Sequence, residues 1–224
     1  MPSTRNSSNR SISLHKTIHA ADALTNSYEE HKRYQYKVIE KDEVVCTYRI
    51  KFYLSSTFTN NLLEACMKLF ELNMSELYSH SSWGLDLESK RQELSHDKAR
   101  YLIVSEENRL KNVDTTMQQQ QNNSHKIIGF AHFRFDVNCY NFPTDAVLYI
   151  YEIQVRKEHA GCGVGKRLMA LMELMAKRSN VKKLMLTVFK DNTKAMGFYL
   201  NKLNYNFDVT SPRNEDYVIL SKEI

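Results

Sequence analysis

The chain has 224 residues, enough for one well-cored domain with about 30 to 50 residues to spare. Its 42% hydrophobic and 25% charged content is that of an ordinary globular protein. No apolar run approaches the ~18 residues of a membrane helix. The net charge of +5 is not gathered into the dense basic patch of a nucleic-acid binder.

The first 26 residues are rich in Ser, Asn and Thr, poor in apolar residues and without the apolar core of a secretory signal. They read as a tail on an intracellular protein. Residues 44–53 alternate as a first strand, and residues 62–72 place Leu62, Leu63, Cys66, Met67, Leu69 and Phe70 on one helical face. A short helix is expected at 75–78. Residues 86–94 read as a charged, solvated helix, and 101–104 as a short apolar strand. From 106 to 124 periodicity is lost, and a glutamine and asparagine run reads as a polar insert with no catalytic role. Residues 127–135 read as a strand, and 136–143 as a turn. The expected organisation is a tail over 1–40 and a single domain over 41–224. Alternation of strands with helices predicts an α/β fold with a mixed central sheet flanked by helices.

The most informative stretch is residues 147–178. An apolar, aromatic strand runs into a loop with Gly161, Gly163 and Gly165, and a long amphipathic helix follows directly. Glycine lets the backbone come close to a ligand, and the first N–H groups of a helix are free for an anion. Lys166 and Arg167 add cations there. The loop does not fit a P-loop, because Gly165-Lys166 is followed by Arg167 rather than Ser or Thr. Its spacing and late position do not fit a dinucleotide fingerprint either. Beyond it, 184–189 reads as a buried strand, 192–201 as a helix, and 205–209 with 217–220 as a closing pair of strands.

Cys46, Cys66, Cys139 and Cys162 form no C-x-x-C pair, which argues against a zinc site or disulfide framework. No metal is expected. Cys162 lies where a thiol can be activated, but a small residue tolerated in a tight loop is the plainer reading.

Glu152-x-Gln154-Val155, seven residues, Gly163-Val164-Gly165-Lys166-x-Leu168, and then T-V-x-x-x-N-x-x-A-x-x-F-Y over 187–199 resemble the Gcn5-related N-acetyltransferases. Further motifs resemble the NatD branch, which acetylates the N-terminal amine of histones. These are N-M-x-x-L-Y at 73–78, S-x-W-G at 81–84, H-F-R-F-D-V at 132–137, L-Y-x-Y-E at 148–152, K-K-x-M-L-T-V-F-K at 182–190 and D-x-x-S-P at 208–212. The match runs from about residue 44 to 220. Two positions depart from the pattern: Ala160 stands where a longer polar residue is usual, and Asn138 where an acidic one is.

The resemblance implies a transfer of acetyl from acetyl-CoA to the α-amine of histones beginning Ser-Gly-Arg-Gly, of histone four and histone two-A type, by direct attack in a ternary complex. An α-amine ionises near ~7.7–8.0 and needs less help than lysine at ~10.4. Glu152 is expected as the base, Tyr151 as its positioning partner, and Tyr199 as the general acid. Side chains alternate along a strand, so Tyr149 and Tyr151 share a face and Glu152 takes the other unless a bulge intervenes, and the resemblance implies such a splay beside the thioester. The resemblance assigns the cofactor to backbone N–H groups of Ile153 and Val155 and to Gly161, Gly163, Val164, Gly165, Lys166 and Asn192, although Asn192 also suits a helix cap. It assigns the peptide to Tyr78, Trp83, Asp136, Asn138, Tyr149 and Tyr217, with Asp136 accepting arginine. His132 reads as a satisfied strand residue. Surface pairing for Glu152 and core packing for Trp83 and the tyrosines stand as the plainer alternatives. A lysine or small-amine acetyltransferase, or a non-catalytic acetyl-CoA-binding module, stands as the alternative function. A monomer in cytoplasm and nucleus, possible contact with the ribosome, and no nucleic-acid or membrane binding complete the expectation.

Overall fold

The structure is a computed structural model that describes residues 34–40, 43–106, 127–137 and 146–224, with the isolated positions 18 and 20. The glutamine-rich insert and the turn after 137 lie outside the described residues, as does Asn138. Among the described residues, eight strands form one sheet: β1 (Tyr34–Glu40), β2 (Glu43–Leu54), β3 (Arg100–Glu106), β4 (Ile127–Val137), β5 (Ala146–Val155), β6 (Lys183–Phe189), β7 (Asn206–Phe207) and β8 (Tyr217–Glu223). They lie in the order β1-β2-β3-β4-β5-β6-β8-β7. All neighbours are antiparallel except β5 and β6, and this one parallel pair encloses the long crossover helix.

Helices α1 (Asn60–His80) and α2 (Leu87–Leu94) cover one face of the sheet, and α3 (Val164–Arg178) covers the other. Alternation along β3 serves both: Tyr101 and Ile103 pack under α1, while Leu102 and Val104 face α3. In α3 the buried positions Val164, Leu168, Met169, Met172, Met175 and Ala176 follow the helical repeat. Truncating a buried leucine such as Leu168 to Ala costs about 2–5 kcal/mol. Thr59 caps α1 through Leu62 N at 3.4 Å, and Asp86 caps α2 through Ser89 N at 3.0 Å.

Three expectations change. α1 is one continuous helix, so the separate short helix at 75–78 does not exist. α2 is not wholly solvated, because Lys90 and Leu94 are buried. β1 falls inside the stretch expected to be tail; alternating Tyr34, Tyr36 and Val38 suit a strand, and its pairing with β2 begins at Tyr34–Ile50. Residues 193–202 run as a short helix α4 (Thr193–Gly197) that opens into a π-helical turn, Phe198–Lys202.

Candidate active site

β5 pairs with β6 only from Val147–Lys183 to Ile150–Leu186. Beyond that point β6 stays with β8 as far as Phe189–Tyr217, while β5 stays with β4 as far as Val155–Gly129. The two strands therefore part, and a cavity of about 460 Å³ fills the wedge. Tyr149 to Gln154 form one wall and Met185 to Phe189 the other; α1 and α2 close it above, and Asn192 and Tyr199 lie below.

A β-bulge shapes the first wall. Phe133 pairs with Ile150 and His132 with Glu152, so Tyr151 is the extra residue. In an unbroken strand Glu152 would face away from Tyr151. Here both turn toward α1 and α2: the Tyr151 ring stacks on His132 at 5.1 Å, and Glu152 reaches Lys90 of α2. His132 in turn stacks on Tyr101 at 5.3 Å. It is fully buried, and that burial holds its imidazole well below the ordinary range, hence neutral.

Glu152 is buried and held at both oxygens. Lys90 Nζ donates to Oε1 at 2.9 Å and Gln154 Nε2 to Oε2 at 2.9 Å. Asn73 of α1 fixes Gln154 in turn, donating to its Oε1 at 3.0 Å and to Val155 O at 3.0 Å. Lys90 also donates to Glu93 at 2.8 Å. Burial alone would lower Lys90, but the Glu152 and Glu93 carboxylates raise its ammonium above the usual range, so it stays charged. Burial raises the Glu93 carboxyl. Burial also pushes the Tyr151 and Tyr78 hydroxyls up to about 12, and for Tyr78 the Glu152 charge adds to it. Tyr199, buried in the π-turn, is raised by burial and then by the same charge, so its hydroxyl keeps its proton.

On the open side, Tyr151 donates to Asp136 Oδ2 at 3.2 Å. Tyr78, Trp83, Phe189 and Tyr217 form a connected ring cluster, with Trp83 at 6.1 Å from Tyr78, 5.1 Å from Phe189 and 4.9 Å from Tyr217. Trp83 is 49% exposed, so it is a surface residue of the cavity mouth and not core. Tyr149 bonds Thr187 at 2.5 Å across the narrow end. Tyr78, Trp83, Asp136 and Tyr149 thus line the cavity, Tyr217 touches it through Trp83, and Asn138 lies outside the described residues.

The glycine loop follows β5 through a 3-10 turn, Lys157–His159, held to β2 by Tyr48 Oη and His159 Nδ1 at 2.8 Å. Gly163 caps α3 with φ +79°, a left-handed conformation that side chains resist, and a Cβ on Gly165 would stand 3.3 Å from Phe198. Among the described residues, no protein acceptor takes the N–H groups of Gly161, Gly163, Val164, Gly165 or Lys166. Arg156 donates its N–H to Ile128 across β4 at 2.7 Å, so alternation turns the N–H groups of Val155 and Ile153 toward the wedge. Asn192 is the N-cap of α4, accepting from Ala195 N at 3.2 Å, and it also lines the cavity. Cys162 is half-buried and packs against the core.

The sequence left Lys90, Glu93, Asn73, Gln154, Thr187 and Phe189 out of the site. Asn73, Gln154, Thr187 and Phe189 stand inside motifs already quoted, so their place was within reach. Nothing in the apolar pattern marks Lys90, whose burial comes from α2 closing on β5.

Comparison with known proteins agrees with this geometry. The family model described as "Acetyltransferase (GNAT) family" matches residues 63–205. The GNAT domain of S. lividans PAT superposes with a TM-score of 0.56 at 13% identity, over 85% of this chain and 97% of that one. The NatC complex bound to Gag peptide and CoA gives 0.51 at 15% identity, over 78% and 98%. Arabidopsis thaliana NAA60 in complex with a bisubstrate analogue gives 0.53 at 11% identity, also over 78% and 98%. At these identities the likeness is one of fold.

Proposed function

The chain belongs to the GNAT acetyltransferase family, whose members use acetyl-CoA, and from that premise we propose that it acetylates the N-terminal α-amine of histone-type peptides beginning Ser-Gly-Arg-Gly. The observation that carries the reading is the link from Tyr151 to Asp136. It sets an anionic acceptor beside the residues of the reaction, at a mouth walled by Tyr78 and Trp83. An N-terminus enters such a site end-on, its first residues against the aromatic wall and its arginine on Asp136. Two proteins of the same fold support a peptide substrate: one is bound to Gag peptide and CoA, the other to a bisubstrate analogue.

The residues present fit acetyl-CoA. Five loop N–H groups without protein acceptors at the N-terminus of α3 suit a diphosphate, and Lys166 adds charge there. Ala160 contributes no side-chain contact, so the backbone carries most of this binding. The thioester supplies an activated acetyl group. Glu152, paired with Lys90, takes the proton of the amine directly or through a water, and Tyr151 orients the amine. The N–H groups of Ile153 and Val155 face the wedge, where the acetyl carbonyl gains charge. Tyr199, protonated and buried, donates to the departing sulfur. A monomer at work in cytoplasm and nucleus, with access to the ribosome, belongs to the same proposal.

The test is a comparison of kcat/KM for a Ser-Gly-Arg-Gly peptide against one with Ala in place of Arg. The proposal expects a loss of at least about tenfold for the Ala peptide, in line with a charge-assisted hydrogen bond. Equal rates would remove Asp136 from substrate choice and favour a less selective amine acetyltransferase.

A further inference from the structure

Lys90 is 7% exposed on α2, one turn from Glu93 and on the same helix as the exposed Glu88. Its ammonium lies 2.9 Å from Glu152 and 2.8 Å from Glu93, over the rings of Phe70 at 4.9 Å and Tyr78 at 5.4 Å. Burying an ion pair is costly, and an apolar side chain of similar size is often as good for stability, so stability alone explains this lysine poorly. Its position is more informative. It lines the cavity, and with Gln154 it clamps the Glu152 carboxylate at both oxygens while leaving each a free lone pair.

We propose that Lys90 is a positioning residue, which aims the Glu152 carboxylate into the cavity and sets a positive charge against it, while Glu93 shares and moderates that charge. The proposal rests on the reading of Glu152 as the base. The charged and titratable groups around the pair are Glu93 from α2, Tyr78 from α1, His132 and Arg134 from β4, Tyr151 from β5 and Tyr199 from the π-turn. Neutral His132 and the protonated tyrosines leave Lys90 as the cation in contact with Glu152. Arg134 is engaged elsewhere, over the Tyr151 ring at 4.2 Å.

The test uses the full chain with acetyl-CoA and its peptide. Lys90→Met is expected to lower kcat about tenfold or more and to move the acid limb of the pH–rate profile upward. KM for acetyl-CoA stays unchanged. Lys90→Arg restores part of the rate. Glu93→Gln moves the acid limb the other way, because Lys90 then serves Glu152 alone. Arg91→Gln, an exposed neighbour paired with Glu64, leaves the profile as it was. Uniform loss of rate in Lys90→Met and Glu93→Gln with no movement of the limb would overturn the proposal. If Lys90→Met does not fold, Lys90→Arg and Glu93→Gln decide it.

A second readout needs no substrate. Nitrogen-15 NMR of the free protein should show the Lys90 ammonium losing its proton at higher pH than the surface lysines, and earlier in Glu152→Gln. Lys90 titrating with the surface lysines sinks the ion-pair proposal whatever amine is acetylated. A persistent Lys90 signature with no acetylated peptide N-terminus sinks the substrate reading instead.

Discussion

The hydroxyl of Tyr151 donates to Asp136 Oδ2 at 3.2 Å, and Asp136 Oδ1 accepts from Val137 N at 2.7 Å. The acid is therefore fixed on one oxygen by backbone and on the other by the bulged residue of β5. Under the proposed function, arginine binding and amine positioning would be coupled through that one side chain.

Asp136→Asn is expected to raise KM for the arginine peptide by roughly tenfold to a hundredfold, about 1.5–3 kcal/mol, with a smaller change in kcat. The Ala peptide should be nearly indifferent to the substitution. Steady-state kinetics on the two enzymes and two peptides closes the cycle.

Glu152→Gln is expected to lower kcat about 10²–10⁴-fold and to leave acetyl-CoA affinity intact by calorimetry. Tyr199→Phe should lower kcat by a smaller factor, since a thiolate leaves more readily than an alkoxide or amide. An unchanged rate in Glu152→Gln would remove the carboxylate from proton transfer.

Gly163→Ala places a side chain at φ +79°, which costs about 1–2 kcal/mol. Thermal unfolding should register that loss, and calorimetry a weaker grip on acetyl-CoA, because the strained residue caps α3 and carries one of the loop donors.

Acid unfolding should proceed in two stages. His132 is held below its ordinary value of 6.5, so the stability it contributes is present above that pH and is lost as pH falls below it. Asp208 is held below its ordinary 3.8: burial opposes this, but Lys183 at 2.6 Å and Thr210 at 2.6 Å outweigh it. Its contribution is present above that value and is lost as pH falls further. Asp208→Asn should flatten the lower stage and leave the upper one, as read by chemical denaturation at a series of pH values.

The glycine loop and α3 were legible because their signals are local. Gly161 and Gly163 take positive φ, and α3 repeats its buried positions at helical spacing. The wedge between β5 and β6 was not, because strand pairing is set by partners and not by either strand's own residues. The bulge was implied by the family resemblance and not by the residues themselves: Leu148 to Glu152 alternates cleanly, and the register with His132 and Phe133 places the extra residue at Tyr151. Lys90 was hidden for another reason. Within 87–94 only the terminal leucines are apolar, so the helix reads as solvated until its packing over Phe70 and Glu152 is seen.

The most direct measurement is fragment-resolved mass spectrometry of a Ser-Gly-Arg-Gly-Lys peptide incubated with the protein and acetyl-CoA, beside a copy with a blocked N-terminus. Acetyl on the terminal serine amine of the free peptide alone is the predicted result. Acetyl on the lysine side chain, or on the blocked copy, would contradict the account and make this chain an acetyltransferase for a different amine.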